Sequence, residues 1–320
     1  MSKFANVVGQ TRAIRFLEAV LESGRFQHAY LFIGPPGVGK TRAARIFARE
    51  ILTRGSTKGA DLFNQGQHPD YFFTRRDKAR VSIEEVRRME EWLAYRPYMA
   101  SHRVVLLPEA HLLTPEAGNA LLKTLEEPPE YAVFLLISDQ QDVLPTIVSR
   151  CQEVRFFPLP VPEIEQVLLG DGVPPDKARV IAQLSRGSVK TARILTGHSA
   201  VEQAMLRVHF FLEDISRRGE MAILEKAEAL EKDEVERTLF LTALESVLRD
   251  VVVMVESGRE DLLLFRESAG LAGSFRGKGA QLREVLMEIT SLQKKYWTNV
   301  NPLLINLNLL FRLRQAFKEG

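Results

Sequence analysis

The residues best suited to chemistry form a short glycine-rich run, Gly-Pro-Pro-Gly-Val-Gly-Lys-Thr. This run fits the pattern G-x-x-x-x-G-K-[ST] and lies between an apolar strand-like segment and a helix-like segment, which is the setting of a phosphate-binding loop. Glycines allow consecutive backbone N–H groups to turn toward phosphate oxygens, and the helix that follows adds its positive dipole end. The predicted nucleotide-binding residues are Gly34, Pro35, Pro36, Gly37, Val38, Gly39, Lys40 and Thr41.

Two side chains of this loop have distinct predicted roles. We expect Lys40 to neutralise the β- and γ-phosphates and the Thr41 hydroxyl to bind the Mg²⁺ that accompanies ATP. Hydrolysis also needs an acidic pair at the end of a neighbouring strand. Glu109 follows such a strand and is a weak candidate for orienting water, but Pro108 holds the position where an aspartate would support the metal. The sequence therefore predicts weak or absent ATP turnover by this chain.

Alternating elements position the loop. Short apolar runs that read as buried parallel strands occur at residues 30–33, 70–73, 103–107 and 133–137, and helical patterns lie between them. Three prolines in the run from Phe156 to Pro162 indicate entry into a new unit, and helical patterns continue from about Val201. We predict an α/β domain with a parallel sheet flanked by helices over residues 1–157, a small helical lid over 158–200, and an all-helical domain over 201–320.

Bulk composition excludes several classes of protein. The chain has 320 residues, a formal net charge of +2 and one cysteine, Cys151. This composition argues against a disulfide scaffold and against a strong general attraction to nucleic acid. The sequence contains neither an apolar signal segment nor a run long enough to span a bilayer, so we expect a cytoplasmic protein without membrane contact.

Longer motifs resemble the AAA+ subunits of the bacterial DNA polymerase III clamp loader. They are Val8-Gly9-Gln10, Gln27 to Phe32 before the phosphate loop, Asn119 to Pro129, and Leu144 to Gln152. The resemblance is strong over the first 160 residues. It implies a clamp-loader role in DNA replication, and both the ATP-hydrolysing gamma/tau motor type and the delta-prime type share the pattern. His68-Pro69-Asp70, Pro108 and a chain without a long tail favour the delta-prime type, a stator-like subunit.

The resemblance also implies roles for individual residues. Ser149-Arg150-Cys151 matches a motif whose arginine acts in trans on ATP held by the neighbouring subunit, although Arg150 taken alone would read as a surface ion-pair residue. Ser138 matches the place where the family senses the γ-phosphate, and Lys190 lies where AAA+ lids usually contribute an arginine. Many relatives carry a four-cysteine zinc module after the phosphate-loop helix, but residues 53–68 contain no cysteine, so we predict no zinc site.

The all-helical domain over residues 201–320 resembles the collar through which the family's subunits join. The implied partners are the motor and delta subunits, contacted through this helical collar and through the AAA+ domain. The sliding clamp and primer-template DNA would be met within the assembly. Two other classes of function remain open on the sequence alone. An autonomous P-loop hydrolase or kinase would need an intact metal carboxylate and an acceptor site, and a DNA-remodelling motor such as a helicase would need an active acidic pair and a DNA-binding module.

Overall fold

The computed structural model divides the chain into two compact units, Met1–Val167 with Arg186–Thr191, and Leu168–Ser185 with Ala192–Gly320. Arg186–Thr191 thus belongs to the same compact unit as the phosphate loop. The division into three domains, with boundaries at residues 157 and 200, stays a proposal. The structure describes residues 2–54, 56–74, 80–139, 143–197, 200–217, 220–232, 234–263, 265, 268–275, 277–295 and 301–318.

A five-stranded parallel sheet forms the centre of the first unit, in the order β2-β3-β4-β1-β5. Four of its strands coincide with the predicted apolar runs to within a residue. The fifth was not anticipated, because its sequence Gln-Glu-Val-Arg is mostly polar, as expected for an edge strand with only one buried side chain. The strands are β1 (Ala29–Ile33), β2 (Tyr71–Phe73), β3 (Arg103–Leu107), β4 (Ala132–Ser138) and β5 (Gln152–Arg155).

Helices cover both faces of this sheet. Because successive strand residues point to opposite faces, Tyr30 and Phe32 pack with Phe47 in one buried cluster, whereas Leu31 packs with Leu121 in another. The fold class predicted from the sequence is therefore confirmed for this unit. The helices on these faces are α1 (Thr11–Ser23), α2 (Lys40–Thr53), α3 (Thr57–Asn64), α4 (Ile83–Leu93), α5 (Pro115–Glu126) and α6 (Pro145–Val148). Helix α7 (Val161–Gly170) follows, with its residues up to Val167 in this unit.

Helix α5 begins at a capping threonine that is followed by a proline. The Thr114 hydroxyl accepts a hydrogen bond from the Ala117 N–H at 3.2 Å, and Pro115 occupies the first turn, where its missing N–H costs nothing. Glu116 places a carboxylate near the positive end of the helix dipole. The helix ends at Glu126, two residues before Pro128.

The described part of the second unit is helical and contains no strand. Its core includes Phe211, Leu244 and Leu309, contributed by three different helices. No helix among the described residues of the chain is both long enough and apolar enough to cross a membrane. The remaining helices of the chain are α8 (Pro175–Leu184), α9 (Val189–Leu195), α10 (Ala200–Arg217), α11 (Glu220–Lys232), α12 (Glu234–Ser257), α13 (Ala269–Ala272), α14 (Gly279–Lys295) and α15 (Pro302–Lys318).

Candidate nucleotide-binding site

The predicted phosphate loop connects the end of β1 to the start of α2. Gly37 and Gly39 adopt φ angles of +76° and +103°, which residues with a Cβ rarely adopt, and Gly39 caps the N-terminus of α2. Val38 is buried between them, and Pro35 and Pro36 form the exit from β1. The chain therefore has the sequence, the flanking elements and the left-handed glycines of a phosphate-binding loop.

Lys40 is held inside this loop. Its ammonium donates to the carbonyl oxygens of Gly34 at 2.7 Å and Pro35 at 2.5 Å, and it forms an ion pair with Asp139 Oδ1 at 2.7 Å. Only 3% of the side chain is exposed. Burial lowers the pKa of Lys40, and the Asp139 carboxylate opposes that shift. Asp139 was not among the predicted site residues, although an acidic residue directly after a buried strand was a usable signal.

Thr41 lies in the first turn of α2 and is exposed. The role of its hydroxyl toward Mg²⁺ stays a prediction. Among the described residues, no group of three or more His, Cys, Asp or Glu side chains is arranged to hold a metal ion.

The ends of β3 and β4 bring further polar groups together. Glu109 follows β3 with φ of +57°, in the left-handed region, and begins the short 3₁₀ turn Ala110–Leu112. Ser138 ends β4 and is fully buried, with its hydroxyl oxygen 3.2 Å from His111 Nδ1. The two strands are neighbours in the sheet, which explains why these residues meet. His111 was not among the predicted site residues.

The segment Arg186–Thr191 packs against the phosphate loop within the first unit. The Lys190 N–H donates to the Gly37 carbonyl oxygen at 3.3 Å, and the Lys190 side chain is exposed. Lys190 therefore reaches the loop through its backbone, and a role for its ammonium stays a prediction. Arg193, one turn further along α9, instead forms an ion pair with Asp171 at 2.8 Å.

Gln10, which was not among the predicted site residues, connects three segments of the chain at this site. Its side-chain amide donates to the Phe157 carbonyl oxygen at 2.7 Å, and its side-chain oxygen accepts from the Phe157 N–H at 3.1 Å. The same amide also donates to the Val38 carbonyl oxygen at 3.4 Å. Because Gln10 is 5% exposed, these bonds fasten the N-terminal segment to the phosphate loop and to the chain that leaves β5.

Arg150 lies between α6 and β5, and its side chain is 33% exposed. Its guanidinium forms an ion pair with Glu126 at the end of α5 and donates to the Thr146 carbonyl oxygen at 3.0 Å. The arginine is thus held by its neighbours with part of its surface accessible. Burial raises the pKa of the adjacent Cys151 to about 12, which disfavours its thiolate form at neutral pH.

A phosphate loop after one strand of a five-stranded parallel sheet, with a helical segment packed on the loop and helices following, defines a AAA+ protein. Residues 9–160 match a family model described as "DNA polymerase III, delta subunit". The chain is thus similar to the delta-prime and tau/gamma subunits of bacterial DNA polymerase III, and the family model covers slightly less than half of its length.

Curated relatives carry both names. The delta-prime subunit of Bacillus subtilis is 26% identical over 96% of this chain and 97% of its own length. The delta-prime subunit of Pseudomonas aeruginosa is 36% identical over 56% of this chain and 60% of its own length. The tau/gamma subunit of Haemophilus influenzae is 37% identical over 60% of this chain, and the match spans only 30% of that longer protein.

Proposed function

We propose that this chain is a delta-prime-type subunit of a bacterial DNA polymerase III clamp loader, which assists ATP-dependent loading of the sliding clamp onto primed DNA. The main support for the proposal is the set of contacts that the Lys40 ammonium makes. The loop has the backbone of a nucleotide site, but its lysine is bound by protein acceptors and Asp139. With Pro108 in place of a metal-supporting carboxylate, the chain fits a stator-like subunit with weak or absent turnover of its own.

In this proposal Arg150 is the residue that acts on ATP, in a site of the neighbouring subunit. A guanidinium is permanently charged and planar, and it suits the charge that spreads over a transferring phosphoryl group. The ion pair with Glu126 supports this role because it holds the long side chain at the surface. Less conformational entropy is then lost when Arg150 meets a partner's nucleotide.

The remaining roles follow from the same assignment. ATP with Mg²⁺ would be held by the phosphate loop and Thr41, with Ser138 near the terminal phosphate and Glu109 near water. The motor and delta subunits would contact the AAA+ domain and the helical collar, and the clamp and primer-template DNA would be met in the assembled ring. The gamma/tau motor type is the second candidate, favoured by the 37% identity to a tau/gamma subunit.

The test is DNA-stimulated ATP turnover by a reconstituted loader containing motor subunits, delta, clamp, primed DNA and this chain. We expect Arg150→Ala to assemble normally and to lower turnover by about the share of one ATP site, since a trans-acting arginine is worth about 10³-fold or more at the site that it serves while the other sites keep their own. Arg155→Ala is the matched control, because Arg155 is an exposed arginine of β5 that pairs with Glu153. It should leave turnover unchanged.

Other results would revise the proposal in distinct ways. Equal turnover with wild type and Arg150→Ala would make Arg150 structural. Failure of the wild-type chain to join the complex on a sizing column would overturn the clamp-loader role. Brisk ATP turnover by the isolated chain would favour the gamma/tau alternative.

A further inference from the structure

Asp139 occupies a position set by the sheet. It follows Ser138, the last residue of β4, and Ser138 is paired in register with Ile33 at the end of β1. Because parallel strands end at the same edge, the residue after β4 lies beside the start of the phosphate loop. The Asp139 carboxylate thereby reaches Lys40 across two neighbouring strand ends, with Oδ1 2.7 Å from Nζ.

This ion pair completes the bonding of the lysine. An ammonium group has three N–H donors. Among the residues that the structure describes, the acceptors at hydrogen-bonding distance from Lys40 are also three: the carbonyl oxygens of Gly34 and Pro35, and Asp139 Oδ1. The chain itself therefore supplies the negative charge that nucleotide phosphates supply in a phosphate loop.

We infer that Asp139 sets the nucleotide preference of this loop, by holding Lys40 as an internal counterion and so disfavouring ATP relative to ADP. The β-phosphate is bound largely by backbone N–H groups, which Asp139 leaves in place. The γ-phosphate depends more on the lysine, and its attraction to Lys40 is reduced because Asp139 already neutralises the ammonium. The γ-phosphate also carries negative charge, so the nearby Asp139 carboxylate repels it. This inference rests on the proposed function, since it gives a delta-prime-type subunit a site poorly suited to triphosphate.

The test is calorimetric titration of the isolated full-length chain with ADP and with the non-hydrolysable ATP analogue AMP-PNP, each with Mg²⁺. Asp139→Asn keeps the side-chain shape and removes the charge. We expect its affinity for AMP-PNP to rise at least about tenfold, and by more than its affinity for ADP. Adding Lys40→Met to Asp139→Asn should abolish the gain, because the released lysine is its source.

Glu130→Gln is the matched control, since Glu130 is exposed in the loop before β4 and its loss changes the net charge equally. It should leave both affinities unchanged. Asp139→Ser provides a second neutral variant, and thermal unfolding verifies that each variant is folded. An equal gain for both nucleotides, no gain, or no binding of either nucleotide by any variant would overturn the inference. Assembly with the loader and the Arg150 test are separate measurements, so failure here is distinguishable from failure of the proposed function.

Discussion

At the scale of single residues, the buried carboxylate of Asp70 explains the His68-Pro69-Asp70 triplet. Asp70 accepts hydrogen bonds from the backbone N–H groups of Tyr98, Met99 and Ala100, at 2.6, 2.8 and 2.9 Å. It is fully buried and lies 3.7 Å from the Arg103 guanidinium, which stacks on the Trp92 ring. The aspartate therefore fixes the chain between α4 and β3, so its role in this chain is structural.

Removing this carboxylate should destabilise the first unit strongly. Asp70→Ala leaves three N–H groups without their acceptor and the buried Arg103 guanidinium without its counter-charge, and we expect a loss of about 3 kcal/mol or more in the free energy of unfolding. Urea denaturation followed by circular dichroism measures this loss. Asp61→Ala, on the exposed face of α3, is the control and should change stability by less than about 0.5 kcal/mol. Similar losses for the two variants would contradict the structural role of Asp70.

At the scale of elements, the phosphate loop and the segment Arg186–Thr191 are packed without space between them. A Cβ added to Gly37 would lie 2.1 Å from the Ser188 hydroxyl oxygen and 2.9 Å from Lys190 Cβ. Ser188 is itself fixed, because its hydroxyl accepts from the Thr191 N–H at 3.1 Å. Gly37 is thus required both for its left-handed backbone and for this close approach.

The pair of variants Gly37→Ala and Gly66→Ala separates these two requirements. Gly66 has a similar φ of +70°, but a Cβ there would meet no atom within 4 Å. Both variants should lose about 1 kcal/mol or more to backbone strain, and Gly37→Ala should lose a further 1–3 kcal/mol, roughly, to overpacking. Urea denaturation of the two proteins measures the difference. Equal losses would show that the close contact with Ser188 has no energetic consequence.

At the scale of the whole molecule, the two units have separate apolar cores. Two clusters cover the two faces of the sheet in the first unit, and a third fills the helical second unit. Each cluster draws its buried residues from one unit. A cavity made in one core should therefore lower the stability chiefly of the unit that contains it.

Leu244→Ala tests this expectation in the second unit. Leu244 is fully buried in α12, and its truncation should cost about 2–5 kcal/mol locally. Hydrogen exchange read by mass spectrometry should show faster exchange in α12 and α14, with β1 and β4 of the first unit unchanged. Leu304→Ala is the control, because Leu304 is 60% exposed on α15. Equal acceleration in β1 and β4 would contradict separate cores.

The sequence by itself determined the local features of this protein. Continuous apolar runs predicted four of the five strands, and the spacing of Gly34, Gly39 and Lys40 predicted the phosphate loop, while Thr114 and Pro115 mark the start of α5. These signals are local because periodicity, capping and turn geometry depend on neighbours along the chain.

Only the tertiary structure decided which distant residues meet at the loop. Asp139 lies about a hundred residues from Lys40 in the sequence, and Phe157 is 147 residues from Gln10. Strand order brings the first pair together, and the path of the chain out of β5 brings the second. No periodic pattern along the chain encodes such pairs, because the free energy of their contacts depends on sheet register and burial, which exist only once the strands have assembled.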